Sequence, residues 1–477
     1  LPVCSVARAA PGRALAGRRA KDTAMDMNLT GSIQPTRQTG ASKSGFRWVV
    51  VALAFLITII SYLDRSAISY AIGPLQKEFG LSYEDFGFIA AAFGVGYMVM
   101  TVGGGILVDR WGARKVWAGA AVVWSAVTGL TGAANGFWML CLLRTMLGLA
   151  EGPSFPALSR TVSDWLPLSE RARASAIGLS AVPLASVVGA PLISQLIAGC
   201  GWKATFVILA SLGLIWAVVW YRVFRDYPEN SPFVRAQELQ WIREGLPLRA
   251  GLSGDEEPTG AHLRSGRTTW RFMLFHPALA SNNFAFFAFG YLLFFALSWL
   301  PGYLEKTYDL HLKTVGIFLI APWLTAAILL TLAGCLSDWL WLKTGSARIA
   351  RSHMIWICQL LSAACILPLA FIHSLPAAIT LISLGVGLGL MPNAAFYALN
   401  ADLARDRVGT SLGVMDCFFA ASGVVAPALT GWLVQVTGNF NAAFLLLGAL
   451  TVSSVAGIIL FQHPDAEIKA RYSSGLS

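Results

Sequence analysis

The stretch Gly105-Ile-Leu-Val-Asp109-Arg110-Trp-Gly112-Ala-Arg114-Lys115 sets one acid and three bases between apolar runs at 84–108 and 114–134. Crossing ~30 Å of hydrocarbon takes about 20 apolar residues in a helix, and each flank supplies them. Backbone groups cannot stay unpaired in lipid, and the alternating polarity of a barrel is absent, so both flanks read as helices. The charged stretch is then a tight turn between two membrane spans. Working outward, the same reading gives twelve spans: 46–72, 84–108, 114–134, 137–160, 174–198, 203–222, 276–300, 312–336, 352–372, 376–400, 408–434 and 440–462.

Composition agrees. Of 477 residues, 56% are hydrophobic and 13% charged, where a soluble chain carries about a quarter charged. The 17 tryptophans fit a membrane protein too, since Trp collects at interfaces. Seven scattered cysteines form no CxxC pair, which supports neither a metal site nor a disulfide framework. The six histidines sit in loops or near span ends, and no GxxxxGK[ST] occurs. These absences speak against a metal-dependent membrane enzyme and against ATP hydrolysis, and no cofactor is expected. Five cations against Asp22 give the first 24 residues a net charge of +4. This segment opens with Leu1 and precedes Met25 and Met27, and it reads as sequence upstream of the natural start, with an Arg-rich transit peptide as the alternative.

Connections holding Arg110, Arg114 and Lys115; Arg171 and Arg173; Lys343, Arg348 and Arg351; and Arg405 and Arg407 alternate with nearly uncharged ones. Basic connections face the cytoplasm, which puts both termini there. The longest connection, 223–275, has eight Arg in and beside it against seven acids, so its charge is balanced and a nucleic-acid partner is not expected. The organisation expected is a tail at 1–45, a six-helix bundle at 46–222, a cytoplasmic linker at 223–275 with one short helix near Glu238, a second six-helix bundle at 276–462 and a tail at 463–477. The halves echo each other. Gly105-x-x-x-Asp109 with Arg114 recurs as Gly334-x-x-x-Asp338 with Arg348, and Arg173, Gly178, Gly189 and Pro191 match Arg407, Gly413, Gly423 and Pro427. Such internal similarity marks a repeat-built transporter with its site at the midplane between the halves.

The 105–115 stretch resembles the signature loop of the major facilitator superfamily. Three others resemble its anion:cation symporters, which include bacterial galactonate, glucarate and hexuronate transporters and animal sialin. They are Tyr62-Leu63-Asp64-Arg65, Arg144-Thr-Met-Leu-Gly148-Leu-Ala-Glu151-Gly152-Pro-Ser-Phe155-Pro156 and Trp299-Leu300-Pro301-Gly-Tyr303-Leu304. The likeness runs from about residue 45 to 462. It implies an all-α membrane protein with the major facilitator fold, proton-driven import of an organic anion, and placement in a bacterial inner membrane, with a monomer expected.

Charge inside the membrane singles out the same residues. A charged side chain at a span centre costs ~2.5–3.5 kcal/mol even on a lenient scale. Spans 1 and 4 keep Asp64, Arg65, Arg144 and Glu151. At ~1.5 Å per residue, Asp64 and Arg144 lie about 12 and 10 Å below the same surface, and Glu151 two turns deeper on the face of Arg144. Arg65 is expected to grip a substrate carboxylate, since guanidinium binds it bidentately and stays charged. Asp64 and Glu151 are expected to carry protons, with Arg144 as their cationic neighbour. The alternative is a purely structural ion-pair network joining spans 1 and 4.

Tyr62 and Tyr97 are placed to hydrogen-bond a polyhydroxylated substrate, with packing as the alternative. In span 10, Asn393 and Tyr397 are weaker candidates of the same kind. Asp416 departs from the resemblance, which implies an Asn-rich stretch in span 11. Its carboxylate would repel an anionic substrate unless protonated, or it adds a proton site, or it snorkels to the cytoplasmic end. Asp109, Arg114 and Asp338 read as a conformational latch, with Asp109 against the positive N-terminus of span 11 and Gly103, Gly104 and Gly105 allowing close approach. The expected substrate is a hexonate, hexuronate or aldarate. A dicarboxylate or an aromatic acid such as phthalate stays open as the alternative, as does a membrane sensor that does not transport.

Overall fold

The computed structural model describes residues 45–244, 270–404 and 408–465. The basic N-terminal segment, the linker centre, Arg405, Arg407, the tail from 466 and the side chain of Asp338 lie outside the described residues.

The first half contains α1 (Phe46–Tyr70), α2 (Ile72–Phe79), α3 (Tyr83–Thr131), α4 (Phe137–Glu151), α5 (Ser154–Trp165) and α6 (Leu168–Val223). The expected linker helix is α7 (Ala236–Glu244). Beyond it come α8 (Trp270–Phe275), α9 (Pro277–Tyr308), α10 (Leu312–Phe318), α11 (Ile320–Thr344), α12 (Met354–Ile366), α13 (Leu375–Leu390), α14 (Asn393–Leu403), α15 (Val408–Thr437) and α16 (Asn441–Phe461). No strand occurs among the described residues. Eight helical segments there are long and apolar enough to cross a membrane, and the bent pair Tyr83–Thr101 and Gly103–Thr131 makes a ninth.

The charged turn of 105–115 is tighter than the sequence reading allowed. Helix α3 runs through it with Gly112 alone off helical geometry, at φ 82°. Only glycine adopts that conformation freely. Asp226 also occupies the space a β-carbon would need there, and accepts a hydrogen bond from the Arg114 backbone N–H at 2.8 Å. Helix α6 bends in the same way at Gly201, φ 80°. Expected spans 2 and 3, and 5 and 6, therefore each fall on one kinked run. Spans 4 and 10 are broken instead, at Gly152-Pro153 and Met391-Pro392, where proline withholds a helical donor. The first break leaves Glu151 as the last residue of α4.

Burial corrects one inference from composition. Trp117, Trp124, Trp165, Trp220, Trp299 and Trp323 are fully buried. Trp117, Trp216 and Trp220 pack ring against ring, so much of the tryptophan is helix-packing material rather than an interfacial belt. The outward surface is apolar, with Val99, Leu130, Ile215, Ile328 and Leu460 exposed, as a lipid-facing surface requires.

Among the described residues, helices of the two halves meet: α3 with α15, α6 with α10 and α11, and α1 with α9. Small residues make these meetings close. A β-carbon on Gly87 would strike the Pro427 carbonyl, one on Gly94 the Gly423 carbonyl, and one on Gly316 the Ala190 carbonyl. All three lie towards the face opposite the basic turn. Gly105, three turns beyond Gly94 and on the same side of α3, has nothing within 4 Å of a β-carbon, and neither does Gly413 on α15. The helix pair is thus in close contact towards the opposite face, with no such contact at Gly105 or Gly413. None of the three glycines expected to bring span 2 close to span 11 does so in this conformation: Gly104 packs against Pro153 instead, Gly103 meets only Met100 of its own helix, and Gly105 faces open space.

Candidate substrate and proton site

Arg65 on α1 and Glu151 at the end of α4 form a salt bridge of 2.7 Å in the interior, with side chains 5% and 0% exposed. Both Nε and Nη2 of Arg65 donate to Glu151 Oε2, at 3.2 and 2.7 Å. Ser61, one helical turn before Arg65, donates its hydroxyl to the same oxygen at 3.0 Å. Glu151 Oε1 is buried with no partner. The guanidinium sits in an aromatic cage, with ring centroids of Tyr62, Phe93 and Tyr97 at 4.4, 4.6 and 4.9 Å. Cation–π contact of this kind stabilises a desolvated arginine. A narrow recess within the first half reaches Arg65 and Tyr62, lined by Ile57, Ser61, Phe155 and Leu158 among others.

The expected pairing of the four charges is rearranged. Arg144, expected as the cationic neighbour of the acids, does act on Glu151 and Asp64 through its charge, while the salt bridge to Glu151 is made by Arg65. Seven residues of helix separate Arg144 from Glu151, about 10 Å along the axis, and α1 brings Arg65 to the level of the acid. Arg144 instead donates from Nη2 to the Arg65 carbonyl at 3.0 Å and lies 5.4 Å from the Phe93 ring centroid. Its Nε and Nη1 are buried without partners. Asp64 is fully buried, and neither carboxyl oxygen has a hydrogen bond. The charges of Arg144 and Glu151 are close enough to act on it.

From the second half, the Tyr397 hydroxyl donates to Asp416 Oδ1 at 3.0 Å. The carboxylate of Asp416 is near enough to act on Tyr97, and Tyr397 is coupled to Tyr62 and Tyr97. The pair thus lies near the aromatic cage, on the other side of the interface between the halves. Asn393, one turn from Tyr397 on α14, carries a buried amide oxygen with no partner. Sequence reasoning missed Ser61 and Phe93. Both stand four residues before a residue it did select, Arg65 and Tyr97, and so share that residue's helical face.

At the basic face Asp109 is largely exposed and pairs with Arg160 at 3.3 Å, while Arg160 also pairs with Asp164 at 2.6 Å. Arg114 donates from Nε and Nη2 to the Tyr221 carbonyl, at 3.0 and 2.7 Å. In this conformation the carboxylate of Asp109 thus engages α5 rather than α15. Among the described residues no group of His, Cys, Asp and Glu is arranged to hold a metal ion.

A family model described as the Major Facilitator Superfamily matches residues 54–345 and 341–475. The chain belongs to this superfamily. It is 32% identical over 419 residues to a hexuronate transporter of Bacillus subtilis, covering 87% of this chain and 94% of that one. It is 31% identical to a probable sulfoacetate transporter of Cupriavidus necator, over 87% and 94% of the two chains, and 29% identical to a probable galactarate/D-glucarate transporter of Escherichia coli, over 93% and 99%. Among solved structures, a bacterial homologue of the human lysosomal transporter Spinster, in an inward-facing and occupied conformation, superposes with a TM-score of 0.65 at 16% identity, over 91% of this chain and 99% of that one. The chain is a multi-pass membrane transporter and not an enzyme.

Proposed function

We propose that this transporter imports a sugar acid (a hexonate, hexuronate or aldarate) together with protons, by alternating access in a bacterial inner membrane. The observation that carries the reading is a caged Arg65 held by Glu151 at the end of a recess. In this reading the chain acts as a monomer of twelve spans in two six-helix bundles, with both termini cytoplasmic. The basic face is then the inner one, and the present conformation is open inward. The substrates named for similar transporters, hexuronate and galactarate/D-glucarate, support the chemical class.

Charge balance supplies the coupling. With all four groups ionised, Asp64 and Glu151 offset Arg65 and Arg144, and the first half of the site is neutral. A substrate carboxylate replacing Glu151 at Arg65 leaves a surplus of one negative charge, which costs ~2.5–3.5 kcal/mol in the membrane interior. One proton taken up by an acid removes the surplus. Asp64 makes no hydrogen bond that would have to be given up on protonation, and Glu151 is freed for a proton once Arg65 turns to substrate. Asp109 and Arg114 act as the latch of the alternate state, in which the basic face closes and Asp109 meets the N-terminus of α15.

The test is uptake of labelled hexuronate, hexonate and aldarate into proteoliposomes under an imposed inward proton gradient. Uptake should follow the gradient, collapse with a protonophore and disappear in Arg65→Ala. Gradient-independent uptake, or undiminished uptake by Arg65→Ala, would overturn the reading.

A further inference from the structure

Resting on the sugar-acid reading above and narrowing it to hexonates and hexuronates, we propose that the Tyr397–Asp416 pair restricts the substrate to acids with one carboxylate and a hydroxylated far end, and excludes the aldarates, diacids of the same length. The two sides of the site have opposite polarity. The first half offers the cation Arg65 in its aromatic cage. The second half offers a carboxylate. Tyr397 spends its hydroxyl hydrogen on Asp416 Oδ1, so the tyrosine has only lone pairs left to offer. The second oxygen of Asp416 takes no hydrogen bond from the described residues. Asn393 brings an amide, which donates or accepts and so does not set the polarity.

A sugar acid bound by its carboxylate at Arg65 extends its chain towards α14 and α15. A terminal hydroxyl there donates to Asp416. A terminal carboxylate meets a second carboxylate and is repelled. The acid in α15 is therefore a selector, built so that the head of the substrate and its tail are read by groups of opposite charge. A neutral residue at this position would leave both tails acceptable.

Gluconate and glucarate are a matched pair, identical except at carbon six, where one carries a hydroxyl and the other a carboxylate. Uptake of each is measured in proteoliposomes under the same proton gradient, for wild type, Asp416→Asn and Asp416→Ser. Wild type should prefer gluconate by at least tenfold, and in both variants the ratio should shrink to less than threefold, whatever their absolute rates. Equal uptake of the two acids by wild type overturns the selector and leaves the sugar-acid reading standing. A preference that persists unchanged in both variants also overturns it. Uptake of neither acid by wild type means that the sugar-acid reading has failed, and the selector falls with it. The wild-type ratio needs no variant to fold.

Discussion

Replacing Glu151 with Gln should tighten substrate binding while abolishing proton-driven accumulation. In the structure Glu151 competes with substrate for Arg65: its Oε2 takes both guanidinium hydrogen bonds, at 3.2 and 2.7 Å, from a residue almost wholly buried. Removing one partner of a buried ion pair costs ~3–5 kcal/mol because a charge is left uncompensated. Cation–π contact with three rings, worth up to about 2 kcal/mol when desolvated, already offsets part of this. That leaves roughly 1–3 kcal/mol of unmet demand at Arg65, which an incoming carboxylate satisfies. At ~1.4 kcal/mol per tenfold change, the dissociation constant should fall by about five- to a hundredfold. Titration calorimetry at pH 7.5 on purified wild type and variant reads the affinity. Counterflow exchange should persist, since the variant mimics one fixed protonation state. Accumulation against a concentration gradient should be lost. Unchanged affinity together with wild-type accumulation would refute both the competition and the proton role.

Asp64→Asn should flatten the pH dependence of uptake, and it removes no hydrogen bond, since neither oxygen makes one; an unchanged pH profile would show that Asp64 carries no proton. Gly94→Val puts a side chain where the Gly423 carbonyl lies. Spin labels at positions 83 and 437 should report a wider separation than in wild type, and an unchanged distance would mean that this seam does not hold the face shut. Glu238→Ala removes one of two carboxylates on Arg47 and the acceptor that takes the Phe46 and Arg47 backbone N–H groups at the start of α1. With Glu170 still in place, the loss should stay below the ~3–5 kcal/mol of a fully stripped buried charge, and thermal unfolding in detergent should show a clear but partial destabilisation.

Length and hydropathy were enough to read an all-helical membrane chain, because in lipid a run of about 20 apolar residues has few alternatives. They were not enough to find where helices continue or break. Gly112 and Gly201 permit a sharp turn within a hydrogen-bonded run, whereas Gly152-Pro153 and Met391-Pro392 interrupt expected spans. Which glycine does which depends on its neighbours, such as the Asp226 carboxylate at Gly112. The four interior charges were legible for a related reason: their cost makes them rare. Their partners were not, because pairing is set by how α1 and α4 pack, and rise per residue fixes depth but not rotation. Depth alone put Arg144 level with Asp64, and Arg144 does bond to the neighbouring carbonyl of Arg65. It could not show that Arg65 would reach Glu151 first.

That rearrangement has a consequence for how the cycle avoids leaking. Had Arg144 held Glu151, Arg65 would be free in the empty carrier, and substrate could bind without disturbing any acid. Proton and substrate would then move independently. With Arg65 and Glu151 joined at 2.7 Å, substrate cannot take the guanidinium without releasing the carboxylate. A released carboxylate buried beside Asp64 is unstable until protonated. In the empty, unprotonated form the two acids and two arginines of the first half balance one another, so it too can change face. The half-loaded states, with a proton but no substrate or the reverse, each carry an unbalanced charge through the interior. Opposition between one arginine and one glutamate is therefore sufficient to make loaded and empty forms the mobile ones, with no additional gate at the site.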